Sequence, residues 1–388
     1  MLALLGLAEL LGMTPWFAGT AVSPGIAAEF HLTGAQEAWL TMAVQGGFVA
    51  GTLVSALLNL SDLVNPRWVF AAGCLGAAVS NALVTTSPSP VEVVAWRFAT
   101  GLALALVYPP AMKIAAGWFK ARRGAALGIL IGCLTLGKAF PYLLTAMSDG
   151  SWRSLMQLSS WLSAAGGVLV LVTVRDGPFV ATSAPFNPSA ALSVFTKRGT
   201  RLGVLGYLGH MWELYAMWTW VGLYVAAALT MQGRQDAARL GALAAFVGIG
   251  AGAAGCVVAG FYADRVGRAR VAAWAMMTSA TCAALTAAAF HAPYAVLLGL
   301  VAIWGFSVVA DSAQFSAIVS DTSAEDYVGT ALTVQTCLGF LLTMVSIRLT
   351  SAVAGWLGWQ WAFLLLLPGP VLGVQAMMAF MKPRITRE

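Results

Sequence analysis

The sequence predicts an all-α membrane protein, with twelve transmembrane helices arranged as two six-helix pseudo-symmetric halves. The first observation behind this is composition: 60% of the 388 residues are hydrophobic and 9% charged, with a mean hydropathy of +0.82. A soluble domain carries about 25% charge. The second is that the chain divides into twelve apolar runs, each near the ~20 residues that cross ~30 Å of hydrocarbon. The third is an internal repeat, described below. The same figures exclude secreted disulfide scaffolds, coiled coils and disordered chains. Porin-type barrels are excluded too, because their strands alternate polar with apolar residues.

The runs follow in order. Span 1 is the stretch Met1 to Val22, centred near Leu11; it lacks a basic leading segment and reads as a first helix, not a cleaved signal peptide. Spans 2 and 3 centre near Gly47 and Ala77 and flank the polar connection Asn59 to Arg67. Span 4, near Leu106, ends before the basic group Lys120, Arg122 and Arg123, and span 5 centres near Thr135. Span 6 centres near Gly166, and a longer connection runs from Arg175 to Arg201. Span 7, near Tyr215, is rich in aromatic residues, and span 8, near Gly250, is rich in glycine. Spans 9 to 12 centre near Ala280, Ser307, Phe340 and Leu367. The expected divisions are a first bundle over 1–175, a central linker over 176–201 and a second bundle over 202–388.

With the amino terminus inside, the bases sort by side. Only Arg153, Arg234, Arg239 and Arg348 fall outside, Arg97 and Lys138 fall within spans, and all the other Lys and Arg residues lie on the side of the termini. That asymmetry is a strong positive-inside signal, so both termini are expected in the cytoplasm and the chain in a bacterial inner membrane. The net charge of +6 therefore reports orientation, and no nucleic-acid partner is implied. No base precedes Arg67, which a truncated start would explain. Cys74, Cys133, Cys256, Cys282 and Cys337 stand singly in apolar runs and read as packing residues, with no metal or other cofactor expected.

The repeat joins the two halves. Asp62 and Asp264 are 202 residues apart, Glu9, Met13 and Trp16 match Glu213, Met217 and Trp220 at an offset of 204, and Gly124-Ala125-Ala126-Leu127 resembles Gly329-Thr330-Ala331-Leu332 at 205. A six-plus-six duplication explains all three. The loop after span 8 reads Gly260-Phe261-Tyr262-Ala263-Asp264-Arg265-Val266-Gly267-Arg268. It resembles the GxxxDRxGRRR loop of the major facilitator superfamily. In the first copy, ending at Arg67, Leu58 takes the place of the leading Gly and Asn65 that of the second, a replacement suited to a left-handed residue. Arg97 and Gly101 resemble the family's RxxxG pattern in span 4, which implies a structural role for Arg97. The family's antiporter pattern in span 5 is only partly met, by Gly128 and Gly132 with Pro141 displaced.

Physically, a helix end followed by an Asp, a turn and an Arg cluster builds a charged clasp between cytoplasmic helix ends. Asp62, Arg67, Gly260, Asp264, Arg265, Gly267 and Arg268 are the gating residues expected on that basis, with each Asp available to a base or a helix N-terminus. Ionisable groups inside spans cost ~2.5 to 3.5 kcal/mol on insertion scales and call for a function. Here they are Glu9, Arg97, Lys138, His210, Glu213 and Asp311. His210 and Glu213, three apart, share a helical face and could carry a coupling proton. Lys138 suits an anionic solute or a salt bridge. Trp212 and Tyr215 lie too deep for an interfacial belt and could stack on substrate. The resemblance implies that spans 1, 4, 7 and 10 line a central cavity, which would turn five of the six charges toward water or substrate.

The function expected is secondary active transport of a small solute, an organic anion being one candidate class, by alternating access coupled to protons. The partners are then a small-molecule substrate, protons and the lipid bilayer. A drug or metabolite exporter of the same fold and a non-transporting membrane receptor are the alternatives. An enzyme is not expected, since no catalytic triad order, metal spacing or paired catalytic carboxylates appear.

Overall fold

A computed structural model of the chain describes residues 1–119, 123–148, 150–179 and 187–382. Every regular element among them is helical. Twelve helical segments are long and apolar enough to span a bilayer. The first six are Leu2–Ala21, Gly34–Leu57, Pro66–Thr86, Pro90–Trp118, Ala126–Met147 and Trp152–Thr173. The second six are Arg198–Met231, Ala237–Val266, Arg268–Ala289, Tyr294–Thr322, Val328–Leu357 and Trp359–Met381. Each sequence centre falls inside its span.

Spans 1, 4, 10 and 12 are broken along their length; in span 12 a 3-10 turn over Phe363–Leu366 precedes Pro368. Span 1 divides into Leu2–Gly12 and Pro15–Ala21, because Pro15 has no N–H to continue the ladder; the Thr14 hydroxyl donates instead to the Leu11 carbonyl at 2.8 Å. Span 4 breaks between Leu104 and Tyr108, just before Pro109-Pro110, and span 10 breaks at Asp311. Span 7 runs unbroken for 34 residues from Arg198, four residues before the expected start of the second bundle.

The repeat is visible in how the spans touch. Without a hydrophobic force between helices in lipid, close approach depends on small residues. A Cβ on Gly47 would lie 1.9 Å from the Phe98 carbonyl, and one on Gly101 would lie 2.1 Å from the Val44 carbonyl, so spans 2 and 4 meet backbone to backbone. The second half repeats the contact between spans 8 and 10: a Cβ on Gly305 would lie 1.8 Å from the Gly248 carbonyl, and one on Gly255 2.0 Å from that of Phe306. The span 8 glycines are thus mostly a packing seam for span 10, while Gly250 faces Leu136 of span 5.

The loop motifs correct one expectation. Asn65 is not left-handed (φ −54°); it caps span 3 by accepting from the Arg67 N–H at 2.9 Å, and Asn59 is the left-handed residue (φ 48°). In the second copy Gly267 holds φ 93°, which only glycine adopts at little cost. The clasps also pair differently from the simple picture. Arg67 donates to the Val174 carbonyl at 2.6 Å and lies 3.2 Å from Asp176, so it ties span 3 to the end of span 6. Arg268 pairs with Asp321 at the end of span 10. No ion pair is formed by Asp264 or Arg265 among the described residues. The Asp62 side chain, Lys120, Arg122 and the last six residues lie outside the described set.

Candidate functional site

A cavity of about 500 Å³ lies between the halves. Its mouth reaches Gly260, Asp264 and Arg268, and its inner end is the ring cluster of Trp16, Phe48, Tyr215, Trp218 and Phe340 around Lys138. The break in span 1 sets Trp16 there. The rings interlock, with centroids 4.9 Å apart for Trp16 and Phe48, 5.9 Å for Trp16 and Tyr215, and 5.1 Å for Tyr215 and Phe340.

Lys138 is 4% exposed, yet its ammonium is well supplied. Nζ donates to Tyr215 Oη at 2.6 Å and sits 4.0 Å from the Trp16 ring centroid, with the Tyr215 and Trp218 rings at 5.1 and 5.7 Å. A cation over aromatic faces is stabilised by the ring quadrupoles, more so when water is excluded. Lys138 belongs to span 5 and Tyr215 to span 7, so this bond joins the two halves.

Further cross-half bonds lie on the side away from the mouth. Tyr142 Oη donates to the Trp218 carbonyl at 3.0 Å, Arg239 Nε to the Ala146 carbonyl at 2.9 Å, and Ser351 Oγ to the Gly34 carbonyl at 2.9 Å. The chamber is therefore closed on the side of the span 1–2, 5–6, 7–8 and 11–12 connections. It opens on the side that carries the loop motifs.

Of the six intramembrane charges, only Lys138 lines the cavity. The other five do not turn toward it as the sequence implied, because each finds or borders other protein groups. The Arg97 guanidinium is wholly buried and donates to the carbonyls of Leu40, Pro15 and Trp16 and to Asn81 Oδ1, at 2.6–3.1 Å. It ties spans 1, 2, 3 and 4 together. His210 and Glu213 take different partners. His210 Nδ1 lies 2.8 Å from Asp311 Oδ1 at the break in span 10, while Glu213 accepts from Ser279 Oγ at 2.8 Å and Trp304 Nε1 at 2.7 Å. A three-residue spacing gives a shared face but not a shared partner, and each side chain reaches a different neighbouring span. Trp212 also leaves the site: it is half-buried, and its Nε1 donates to the Leu365 carbonyl at 3.1 Å.

Glu9 is wholly buried, and neither carboxylate oxygen has a hydrogen-bond partner. It lies within electrostatic range of Lys138. The helices are tight here, since a Cβ on Gly137 would come within 2.3 Å of the Leu10 carbonyl. Glu9 itself does not line the chamber.

Residues not singled out as site residues complete the chamber. Trp16 and Trp218 form its inner end, and both indole N–H groups lack an acceptor. The signal for Trp16 was its match to Trp220 in the repeat. Outside the cavity lining, Gln45 and Gln335 are buried with both amide atoms unpartnered, and their signal was a neutral amide in the middle of an apolar run. No group of three or more metal-ligating side chains occurs among the described residues.

The family model described as Major Facilitator Superfamily matches residues 4–309. Solved structures share the whole fold. A mutant form of the nucleoside transporter NupG superposes with a TM-score of 0.76 at 15% identity, covering 98% of this chain and 100% of that one. NupG itself gives 0.74 at 14% identity, with 99% of each chain covered. A bacterial homologue of the human lysosomal transporter Spinster, in an inward-facing and unoccupied conformation, gives 0.74 at 14% identity, covering 100% of this chain and 98% of that one.

Proposed function

The chain belongs to the major facilitator superfamily, and from that premise we propose that it is a secondary active transporter. It moves a small solute by alternating access and couples that movement to protons. The observation that carries this reading is the chamber itself. It lies between the two halves, opens on one side only, and ends on a buried cation that bonds across the halves.

Exchange of access requires the closed side to part while the open side closes. The closed side is held by few polar bonds, three of them onto backbone carbonyls, and these can be replaced by water when the halves rock. On the open side, Gly260, Asp264, Arg265, Gly267 and Arg268 form the gating clasp, answered in the first half by Asp62 and Arg67. The bundles over 1–175 and 202–388 are the moving bodies and residues 176–201 their linker. The basic side is the cytoplasmic side of a bacterial inner membrane, with both termini there.

Lys138, Tyr215, Trp16 and Trp218 form the substrate site. Glu9, Glu213 and the His210–Asp311 pair are the proton-coupling groups, since each is an ionisable group held inside the membrane. The test is the purified protein in liposomes holding a pH-sensitive dye, screened with pools of small organic anions, cations and drugs. Solute-dependent proton flux supports the reading. Folded protein that moves neither protons nor any labelled solute contradicts it.

A further inference from the structure

The chamber's chemistry narrows what it can hold. Its inner end is rich in donors: the Lys138 ammonium and the unpartnered indole N–H groups of Trp16 and Trp218. The walls around them are flat rings at 4.7–5.9 Å spacing. Spare donors fit an anionic oxygen group, and the faces of tilted aromatic rings fit a planar apolar body.

Charge balance narrows it further. Glu9 is wholly buried with neither carboxyl oxygen hydrogen-bonded, so it is least costly neutral. A chamber at membrane depth is least costly when its net charge is zero. A monoanion on Lys138 brings the chamber to that balance. A dianion would leave one negative charge in excess, and a neutral or cationic solute would gain nothing from the ammonium.

We propose that this chamber binds a small flat organic monoanion, an aromatic monocarboxylate in chemical class. The carboxylate rests on Lys138 Nζ and the indole N–H groups, and the ring lies against Trp16, Tyr215, Trp218 and Phe340. The proposal rests on the transport reading only for the movement that follows binding.

The test is titration calorimetry on the full chain in lipid nanodiscs with benzoate, benzamide, benzylammonium and phthalate. Benzoate is expected to bind, and benzamide, benzylammonium and phthalate to bind roughly 30-fold more weakly or not at all. Lys138→Met is expected to lose that preference. Tyr215→Phe keeps the ring and frees Nζ, so it must change benzoate affinity and leave benzamide unchanged even where Lys138→Met does not fold. Benzylammonium binding as tightly as benzoate, or a preference for benzoate that survives Lys138→Met, would overturn the proposal. Benzoate that binds but does not cross liposomes would contradict transport and leave the site standing. Transport of other solutes with no benzoate binding would do the reverse.

Discussion

Lys138 Nζ donates to Tyr215 Oη at 2.6 Å, and this bond joins span 5 of the first half to span 7 of the second at the inner end of the chamber. A bond that bridges the moving bodies must be remade in each cycle, so the two partners should not behave alike. Lys138→Ala removes the charge and is expected to abolish solute flux in liposomes. Tyr215→Phe removes one hydrogen bond of about 1 kcal/mol and is expected to shift flux by several-fold only. Equal loss in both variants would mean that the bond, not the cation, matters.

Glu213 is held by Ser279 and Trp304, and His210 by Asp311. If these groups carry the coupling proton, Glu213→Gln keeps the shape and both partners but removes the titration. Counterflow of labelled solute should persist in that variant while solute-driven proton flux falls at least tenfold. Unchanged proton flux in both Glu213→Gln and His210→Ala would assign the coupling elsewhere.

Arg97 saturates four acceptors from three neighbouring spans. Arg97→Met leaves those acceptors buried without donors, at roughly 3 kcal/mol or more. Thermal unfolding in detergent should occur well below that of the parent chain. A melting temperature within a degree of the parent would show that water replaces the guanidinium.

The glycine seam makes a sharp comparison. A Cβ on Gly305 would strike the Gly248 carbonyl at 1.8 Å, whereas one on Gly299 meets nothing within 4 Å. Gly305→Ala should force spans 8 and 10 apart and cost roughly 1–3 kcal/mol or more, and Gly299→Ala should leave yield and melting unchanged. Equal behaviour of the two variants would refute the seam.

Outside the spans, Arg153 donates two hydrogen bonds to Glu29 and Trp152 a third, and the guanidinium holds the Glu29 carboxyl down to about 2 from its ordinary 4.5. Because that value is lowered on folding, the contact contributes above the ordinary carboxyl range and is lost only as pH falls through about 2. Glu29 is therefore ionised throughout pH 5–8. Glu29→Gln should leave the pH profile of flux between those values unmoved, and a shifted midpoint would show that Glu29 takes part in coupling.

How much of this was legible in the chain depends on the range of the physics. The twelve spans were legible because a bilayer imposes one length and one polarity on each, and Arg153, Arg234, Arg239 and Arg348 stand apart from the other bases in plain sequence. The break of span 1 had its mark in Pro15, but the residue it would aim into the chamber, Trp16, had none beyond a repeat match. Partners of buried charges were not legible. Spacing placed His210 beside Glu213, yet neighbouring spans supplied Asp311 to one and Ser279 with Trp304 to the other. Asn65 illustrates the same limit locally: its residue type fits a left-handed turn as well as a helix cap, and Pro66 with Arg67 decides for the cap.

The central claim, that opposite ends of one chamber open in turn, is tested most directly at the closed end. Arg239 Nε reaches the Ala146 carbonyl across the halves there at 2.9 Å. Ala146→Cys and Arg239→Cys, in a background with the native cysteines replaced, can be joined by a short cleavable crosslinker in liposomes. Alternating access predicts that solute flux stops when the crosslink forms and returns when it is cleaved. Full flux through the crosslinked protein would contradict it.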